Sequence, residues 1–401
     1  MQVAIFGIPL EYILFALTLL GIAFFHHHSF LVAVCGLAAV SLYKIFLAGF
    51  KTGLGFGAFI THLGHEWVTL ANLLALILGF SILARHFEKS HLPVVLPRVL
   101  PSGWPGAFVL LVIVFFMSSF LDNIAAALIG GAMAHQLFRA KVHIGFVAAI
   151  VAASNAGGAW SVVGDTTTTM MWIQGVSPAE VVRCFGAALL ALFIFGIPAA
   201  KTQHAHSPMI HGAHAHTHVD WKRMGIVFLI LLLAMGTNVV VNQNFPAESS
   251  AFPYIGAAVW VGILLTIPVR RHDWEVIPEN IQGTAFLLAL VTMASMMPVE
   301  SLPAPSWASA MGLGFVSAVF DNIPLTALAL KQGGYDWGFL AYAVGFGGSM
   351  LWFGSSAGVA LSNMYPEAKS VGRWIRYGWP IAVAYVLSYL ALVLTIGWSP
   401  V

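Results

Sequence analysis

Apolar stretches, each closed by a short polar segment, follow one another along most of this chain. Ten are long enough to cross a bilayer, which takes about 20 residues. They cover 6–25, 29–50, 66–85, 144–172, 177–199, 223–243, 253–269, 278–298, 337–364 and 375–398. Two further stretches, 105–138 and 304–330, hold an Asp-Asn pair near the middle, flanked by apolar arms too short to cross separately. Each arm fits a half-crossing, so both are expected to be re-entrant hairpins with Asp-Asn at the tip. Polar, non-helical backbone at that depth is tolerated only inside protein or beside a wet cavity.

The two tips are near-copies 199 residues apart: Ser118-Ser119-Phe120-Leu121-Asp122-Asn123-Ile124-Ala125 and Ser317-Ala318-Val319-Phe320-Asp321-Asn322-Ile323-Pro324. A carboxylate at a helix centre in a membrane costs roughly 2.5–3.5 kcal/mol on insertion scales. Two of them at matching places therefore point to a polar site built twice. A second pair of motifs follows the hairpins, Ser154 to Thr169 and Gly345 to Gly358. Aligning Gly157-Gly158 with Gly347-Gly348 also aligns Gly164 with Gly354, Asp165 with Ser355 and Thr166 with Ser356. Glycine weakens a helix interior by about 0.8–1 kcal/mol relative to Ala. These six glycines are thus expected to mark backbone breaks, although Gly-Gly pairs also serve close helix packing. A break frees carbonyls at depth, and with carboxylate and hydroxyl oxygens these suit a hard cation. Half-helix N-termini would favour an anion instead.

The candidate cation- and proton-binding residues are Asp122, Asn123, Asp165, Thr166, Thr167, Asp321, Asn322, Ser355 and Ser356. Asn123 and Asn322 either ligate or hold the tips by side-chain hydrogen bonds. Thr168 and Thr169 are expected to bond back to their own helix. Trp160 and Trp352, inside the breaks, either pack beside the cavity or gate it.

Composition agrees: 59% of residues are hydrophobic, 8% are charged, and mean hydropathy is +0.89, outside the range of soluble domains. Of 17 Lys and Arg, all but Lys44, Lys51, Arg183 and Lys331 fall in one set of loops when the hairpins return to their own side. That set is expected to be cytoplasmic, with both termini outside or periplasmic. The count divides into two units of five crossings and one hairpin, and five being odd, the second lies inverted to the first. The expected organisation is a repeat over 1–200, a His-rich cytoplasmic linker over 201–221 and a second repeat over 222–401. The class is an all-α polytopic membrane protein whose broken helices meet at mid-membrane, a plan common among secondary transporters.

No nucleotide-binding loop is present, so ATP drive within this chain is not expected. Cys35 and Cys184 read as small buried residues, not as a disulfide or thiolate site. Glu11 and Glu66, near the outer ends of their spans, are expected to reach interfacial water. His204, His206, His211, His214, His216 and His218 share the linker and form either an unconstrained polar loop or a metal or pH sensor.

The Asp-Asn hairpins, the Gly-Gly-Ala-Trp-Ser…Gly-Asp-Thr-Thr-Thr run (157–168) and the Gly-Phe-Gly-Gly-Ser…Gly-Ser-Ser-Ala-Gly-Val-Ala run (345–360) resemble the NhaD-type Na⁺/H⁺ antiporters. Those belong to the ion transporter superfamily with arsenite exporters and citrate and dicarboxylate carriers. The resemblance covers about 105–172 and 304–364. It implies a homodimer in the cell (inner) membrane, with a fixed scaffold and a moving transport domain, and a cation site on Asp122, Asn123, Asp165, Thr166, Asp321, Asn322, Ser355 and Ser356. The first tip departs from the family pattern, continuing Ile124-Ala125-Ala126-Ala127 where the antiporters commonly carry threonines. The expected function is Na⁺ (or Li⁺)/H⁺ antiport by alternating access, not an enzymatic reaction, with no cofactor and no nucleic-acid partner. Its alternative is symport of citrate or another organic anion, free or metal-complexed. The Asp at each tip, where the dicarboxylate carriers have Ser-Asn-Thr, favours a cation.

Overall fold

The computed structural model describes residues 4–5, 7–25, 28–95, 100–209, 218–245 and 251–400. Among the described residues the regular structure is helical apart from a pair of two-residue strands before the first helix and an isolated bridge between Phe50 and Gly53. Helices α1 (Leu10–Phe24) and α2 (Ser29–Tyr43, carried on by a π turn to Ala48) are followed by α3 (Phe56–Glu88) and a single turn, α4 (Leu92–Val95). Then come α5 (Trp104–Ser118), α6 (Asn123–Leu137), α7 (Ile144–Ala159), α8 (Thr166–Ile173), α9 (Pro178–Val182) and α10 (Phe185–His206). The second half holds α11 (Trp221–Asn244), α12 (Tyr254–Thr266), α13 (Val276–Ser295), α14 (Trp307–Ser317), α15 (Asn322–Gln332), α16 (Trp337–Gly347), α17 (Ser356–Met364) and α18 (Val371–Thr395). Among the described residues six helical segments are long and apolar enough to span a membrane: 29–48, 56–88, 178–206, 221–241, 276–295 and 371–395. This is a multi-pass membrane protein.

Two bundles lie side by side. One packs α3 against α12 and α13, with α1, α2 and α11 around them. The other is built on α7 and α16, every residue of which is buried. Their small residues let neighbouring backbones approach closely: α5, α6, α10 and α18 pack on α7, and α14 and α18 on α16. Perimeter helices expose large apolar side chains, among them Phe46 at 72%, Leu265 at 72% and Leu394 at 85%, as lipid-facing surfaces do. Tyrosines from α18 clasp the second bundle, with Tyr385 Oη donating to Met311 O and Tyr389 Oη to Trp307 O, both at 2.7 Å.

One end of the molecule gathers most of the basic loops. Arg85 pairs with Glu279 at 3.0 Å, Lys89 with Asp273 at 2.6 Å, and Arg270 with Asp220 at 2.9 Å. Asp220 also caps α11, and the Arg270 hydrogen bond holds its carboxyl below the usual carboxylate range.

Several expectations need correction. α3 starts at Phe56, ten residues before the expected span. Glu11 does not reach water: it is fully buried, 3.8 Å from Lys44, because the π turn after α2 folds that lysine inward. Cys35 is exposed on α2, whereas Cys184 is buried. The linker is shorter than 201–221, since α10 runs on to His206.

Candidate functional site

The two Asp-Asn segments and the two Gly-rich motifs produce the same local structure twice. α5 stops at Ser118 and α6 starts at Asn123; α14 stops at Ser317 and α15 starts at Asn322. In each pair the Asp is the N-cap of the second arm, with φ −53° and ψ 141° at Asp122 and φ −54° and ψ 141° at Asp321. The motif helices break likewise. Asp165 caps α8 and Ser355 caps α17, both in extended backbone. Helix N-termini leave N–H groups unsatisfied, and Asp and Ser are suited to accept from them. Asp165 Oδ1 takes the Thr167 N–H at 3.3 Å, Asp321 Oδ1 the Ile323 N–H at 3.0 Å, and Ser355 Oγ the Gly358 N–H at 3.2 Å.

The glycines hold hairpin and broken helix together. A Cβ at Gly157 would stand 2.0 Å from Phe115 O, and one at Gly347 would stand 2.4 Å from Gly314 O. A Cβ at Gly164 would stand 2.2 Å from Ser118 O, and one at Gly354 2.5 Å from Ala318 O. Gly157 and Gly158 therefore sit in the last turn of α7, and Gly347 ends α16; the breaks proper begin at Trp160 and Gly348. Their role is close approach of backbones, and Ser119 Oγ uses it to donate to Gly157 O at 3.0 Å.

A side-chain network ties the two halves. Asn123 Nδ2 donates to Asn155 Oδ1 at 3.1 Å, and Asn155 Nδ2 donates to Ser349 Oγ and Ser355 Oγ, each at 3.0 Å. From the other side, Asn322 Nδ2 donates to Asp165 Oδ2 at 3.3 Å, and Ser356 Oγ to Asp321 Oδ2 at 3.1 Å. Both tip asparagines thus donate from their side chains, Asn123 to Asn155 within its own half and Asn322 across to Asp165 of the other. Asn155, on α7 within the 154–169 motif, is the node of this network; its amide beside Ser154, between apolar α7 residues and Gly157-Gly158, is the sequence signal that marks it.

A cavity of about 630 Å³ opens beside this network, lined by Asp122, Asp165, Thr166, Asp321 and Ser356 on one side. The facing wall comes from the other bundle through Ser81, Glu279, Asn280 and Thr284. It reaches Ser29 and Glu279, at the end where Arg85 pairs with Glu279. None of the described residues lining it is Lys, Arg or His. The wall residues Glu279, Asn280 and Thr284 were not expected, because no repeat or motif marks them.

Other candidates lie elsewhere. Thr167 is buried behind Asp165 and does not line the cavity. Thr168 and Thr169 both donate to Asp165 O at 2.9 Å, bonding back as expected. Trp160 stacks in an aromatic cluster with Phe115 and Phe185 and does not line the cavity. His204 and His206 close α10, and His206 meets His143 edge-on at 5.4 Å. His211, His214 and His216 lie outside the described residues. Among the described residues no group of three or more His, Cys, Asp or Glu is placed to hold a metal ion.

No family model matches the chain. Individual relatives do. It is 27% identical over 289 residues to sodium/proton antiporter 1 of Arabidopsis thaliana, covering 63% of this chain and 49% of that protein. It is 25% identical over 348 residues to the Na⁺/H⁺ antiporter NhaD of Vibrio cholerae (72% and 68%). With the NhaD of Alkalimonas amylolytica it shares 28% identity over 334 residues (68% and 66%). The chain thus spans about half the length of the first relative. The similarity to NhaD-type antiporters expected from the motifs is present along most of the chain.

Proposed function

We propose that this chain, a relative of the NhaD-type antiporters, exchanges Na⁺ or Li⁺ for H⁺ by alternating access. The observation that carries the reading is the set of three aspartates, each at the N-cap position of a helix, around one cavity whose described lining holds no basic side chain. Each helix N-terminus presents about half a positive charge, so the ends of α6, α8, α15 and α17 sum to roughly +2. Three carboxylates outweigh that by about one unit, which leaves a site suited to one monovalent cation or a proton. Asp122, Asp165 and Asp321, with Thr166 and Ser356, would supply the oxygens. Asn123, Asn322, Asn155 and Ser355 would hold them in place. A carboxylate that takes a cation gives up its proton, so the two ions compete for the same groups.

Residues 1–200 and 222–401 form two inverted repeats in this reading, with α5–α6 and α14–α15 as re-entrant hairpins entering from opposite faces. The bundle on α7 and α16 is the moving part, and α1–α3 with α11–α13 the scaffold. The basic end is cytoplasmic, both termini face outward in the cell membrane, and two copies pair through their scaffolds. The cavity then opens inward, and the proton gradient drives Na⁺ out. The test uses liposomes loaded with a pH-sensitive dye, challenged with Na⁺, Li⁺, K⁺ or citrate in turn. Na⁺ or Li⁺ should move protons in the intact protein and fail to do so in Asp122→Asn or Asp321→Asn. Accumulation of labelled citrate without Na⁺-driven proton movement would overturn the proposal in favour of anion symport.

A further inference from the structure

At the end opposite the basic loops lies a second cavity, of about 520 Å³. Helix α13 separates the two. Its Asn280, Thr284 and Leu287 face the carboxylate cavity, while Ser295 and the following Met296 and Met297 face the second. Between them the scaffold and the second hairpin meet in an apolar seam. Leu290, Met293, Ala294 and Met297 of the α13 segment join Ile323 and Ala327 of α15 in one buried cluster, together with Met170 of α8. Methionine is unbranched and adaptable, and so suits a surface that must pack in more than one position.

Polar contacts join the two bundles around that seam: Gln174 Nε2 donates to Thr69 Oγ1 at 2.9 Å and Asn238 Nδ2 to Trp172 O at 3.3 Å, and a charged one lies at its end. Lys331, in the last turn of α15, donates its ammonium to Ser295 O, the last carbonyl of α13, and to Met297 O just beyond it. Terminal helix carbonyls lack intrahelical partners and carry the negative end of the dipole, so a cation is their natural partner. In the first hairpin, α6 is clasped within its own bundle, where Tyr365 Oη donates to Gly131 O at 2.7 Å. The apolar seam lies between the two cavities, and Lys331 lines the second.

We propose that Lys331 is the outer latch of the transport cycle, holding the second hairpin against the end of α13 while the carboxylate cavity is open inward. When it lets go, the hairpin slides along the methionine seam and the second cavity becomes the outer mouth of the pathway. Lys331 is a positioning residue here, since it touches no transported ion. The inference rests on alternating access, but not on which ion is carried.

The test reads accessibility. In a background with Cys35→Ser and Cys184→Ala, a single cysteine is placed at Ser81→Cys in the inner cavity or Met297→Cys beneath the latch. Labelling by a membrane-impermeant maleimide is followed from each side of oriented vesicles. Charge-assisted hydrogen bonds are the strong ones, so losing them should shift the inward-to-outward ratio by at least about tenfold, the equivalent of about 1.4 kcal/mol. Lys331→Met is expected to slow Ser81→Cys labelling from the inner side and speed Met297→Cys labelling from the outer side by that order, with Lys331→Arg close to the parent. A folded Lys331→Met protein with both rates unchanged overturns the latch. Should that variant not fold, Ser295→Cys with Lys331→Cys takes its place. A bifunctional thiol reagent should link the two and stop transport until cleaved, and full transport in the linked protein would also overturn it. Unchanged rates alongside intact Na⁺/H⁺ exchange reject the latch alone; altered rates without such exchange reject the ion assignment alone.

Discussion

Replacing Gly157 with alanine tests whether hairpin and broken helix must touch backbone to backbone. The added Cβ would lie 2.0 Å from Phe115 O, where ordinary contact begins at 3.4 Å, so α5 and α7 must part by about 1.4 Å. No rotamer relieves this, because the obstructing atom is main chain. Overpacking a well-filled interior costs about 1–3 kcal/mol, occasionally more, and this clash belongs at the upper end. Better helix propensity returns at most about 1 kcal/mol. The expected net loss is about 2 kcal/mol. The same movement pulls Gly157 O from Ser119 Oγ, now 3.0 Å apart, and with it the turn that carries Asp122. The control is Gly186→Ala on α10, exposed and with nothing within 4 Å of its Cβ. Thermal melting in detergent and Na⁺-driven proton release from liposomes should both separate the variants. Gly157→Ala should melt several degrees lower and need at least about tenfold more Na⁺, the equivalent of about 1.4 kcal/mol. Gly347→Ala, 2.4 Å from Gly314 O, should behave alike. If Gly157→Ala and Gly186→Ala melt together and exchange equally, the close-approach reasoning is wrong.

Asn155→Ala leaves Asn123 and the Ser349 and Ser355 hydroxyls short of a partner. At about 1–3 kcal/mol per unsatisfied buried group it should lower stability and Na⁺ affinity together; a variant with unchanged melting and exchange would remove Asn155 from the site. Asp321→Asn keeps an oxygen for the Ile323 N–H but loses the charge, so melting should hold while Na⁺-driven proton release disappears; a parallel loss of fold would show a structural role instead. The lowered pKa of Asp220 gives stability that is complete above the ordinary carboxylate range and is lost as pH falls through its folded-state value. Arg270→Gln removes the largest cause, so its acid unfolding in a fluorescence pH series should begin at higher pH than in the parent. Coincident curves would dismiss the pair.

The apolar pattern placed the helices because burial in lipid is a local demand that each segment meets with its own residues. The hairpin turns were legible for the same reason, since Asp-Asn inside an apolar run interrupts the helix and needs a polar surrounding at depth. The repeat of the motif made the pairing visible. The facing wall of Glu279, Asn280 and Thr284 was not legible, because it is assembled by a helix from the other bundle. Neither was the partner of Glu11, nor the role of Gly157, since both depend on which backbone arrives beside them. Sequence by itself determined the membrane-spanning helices, the four interrupted segments and the three carboxylates at their caps. Only the tertiary structure decided that Asn155 joins the halves, that the cavity opens toward the basic end, and that Lys331 meets the carbonyls at the end of α13. Those are distances between segments far apart in the chain, and no local propensity encodes them.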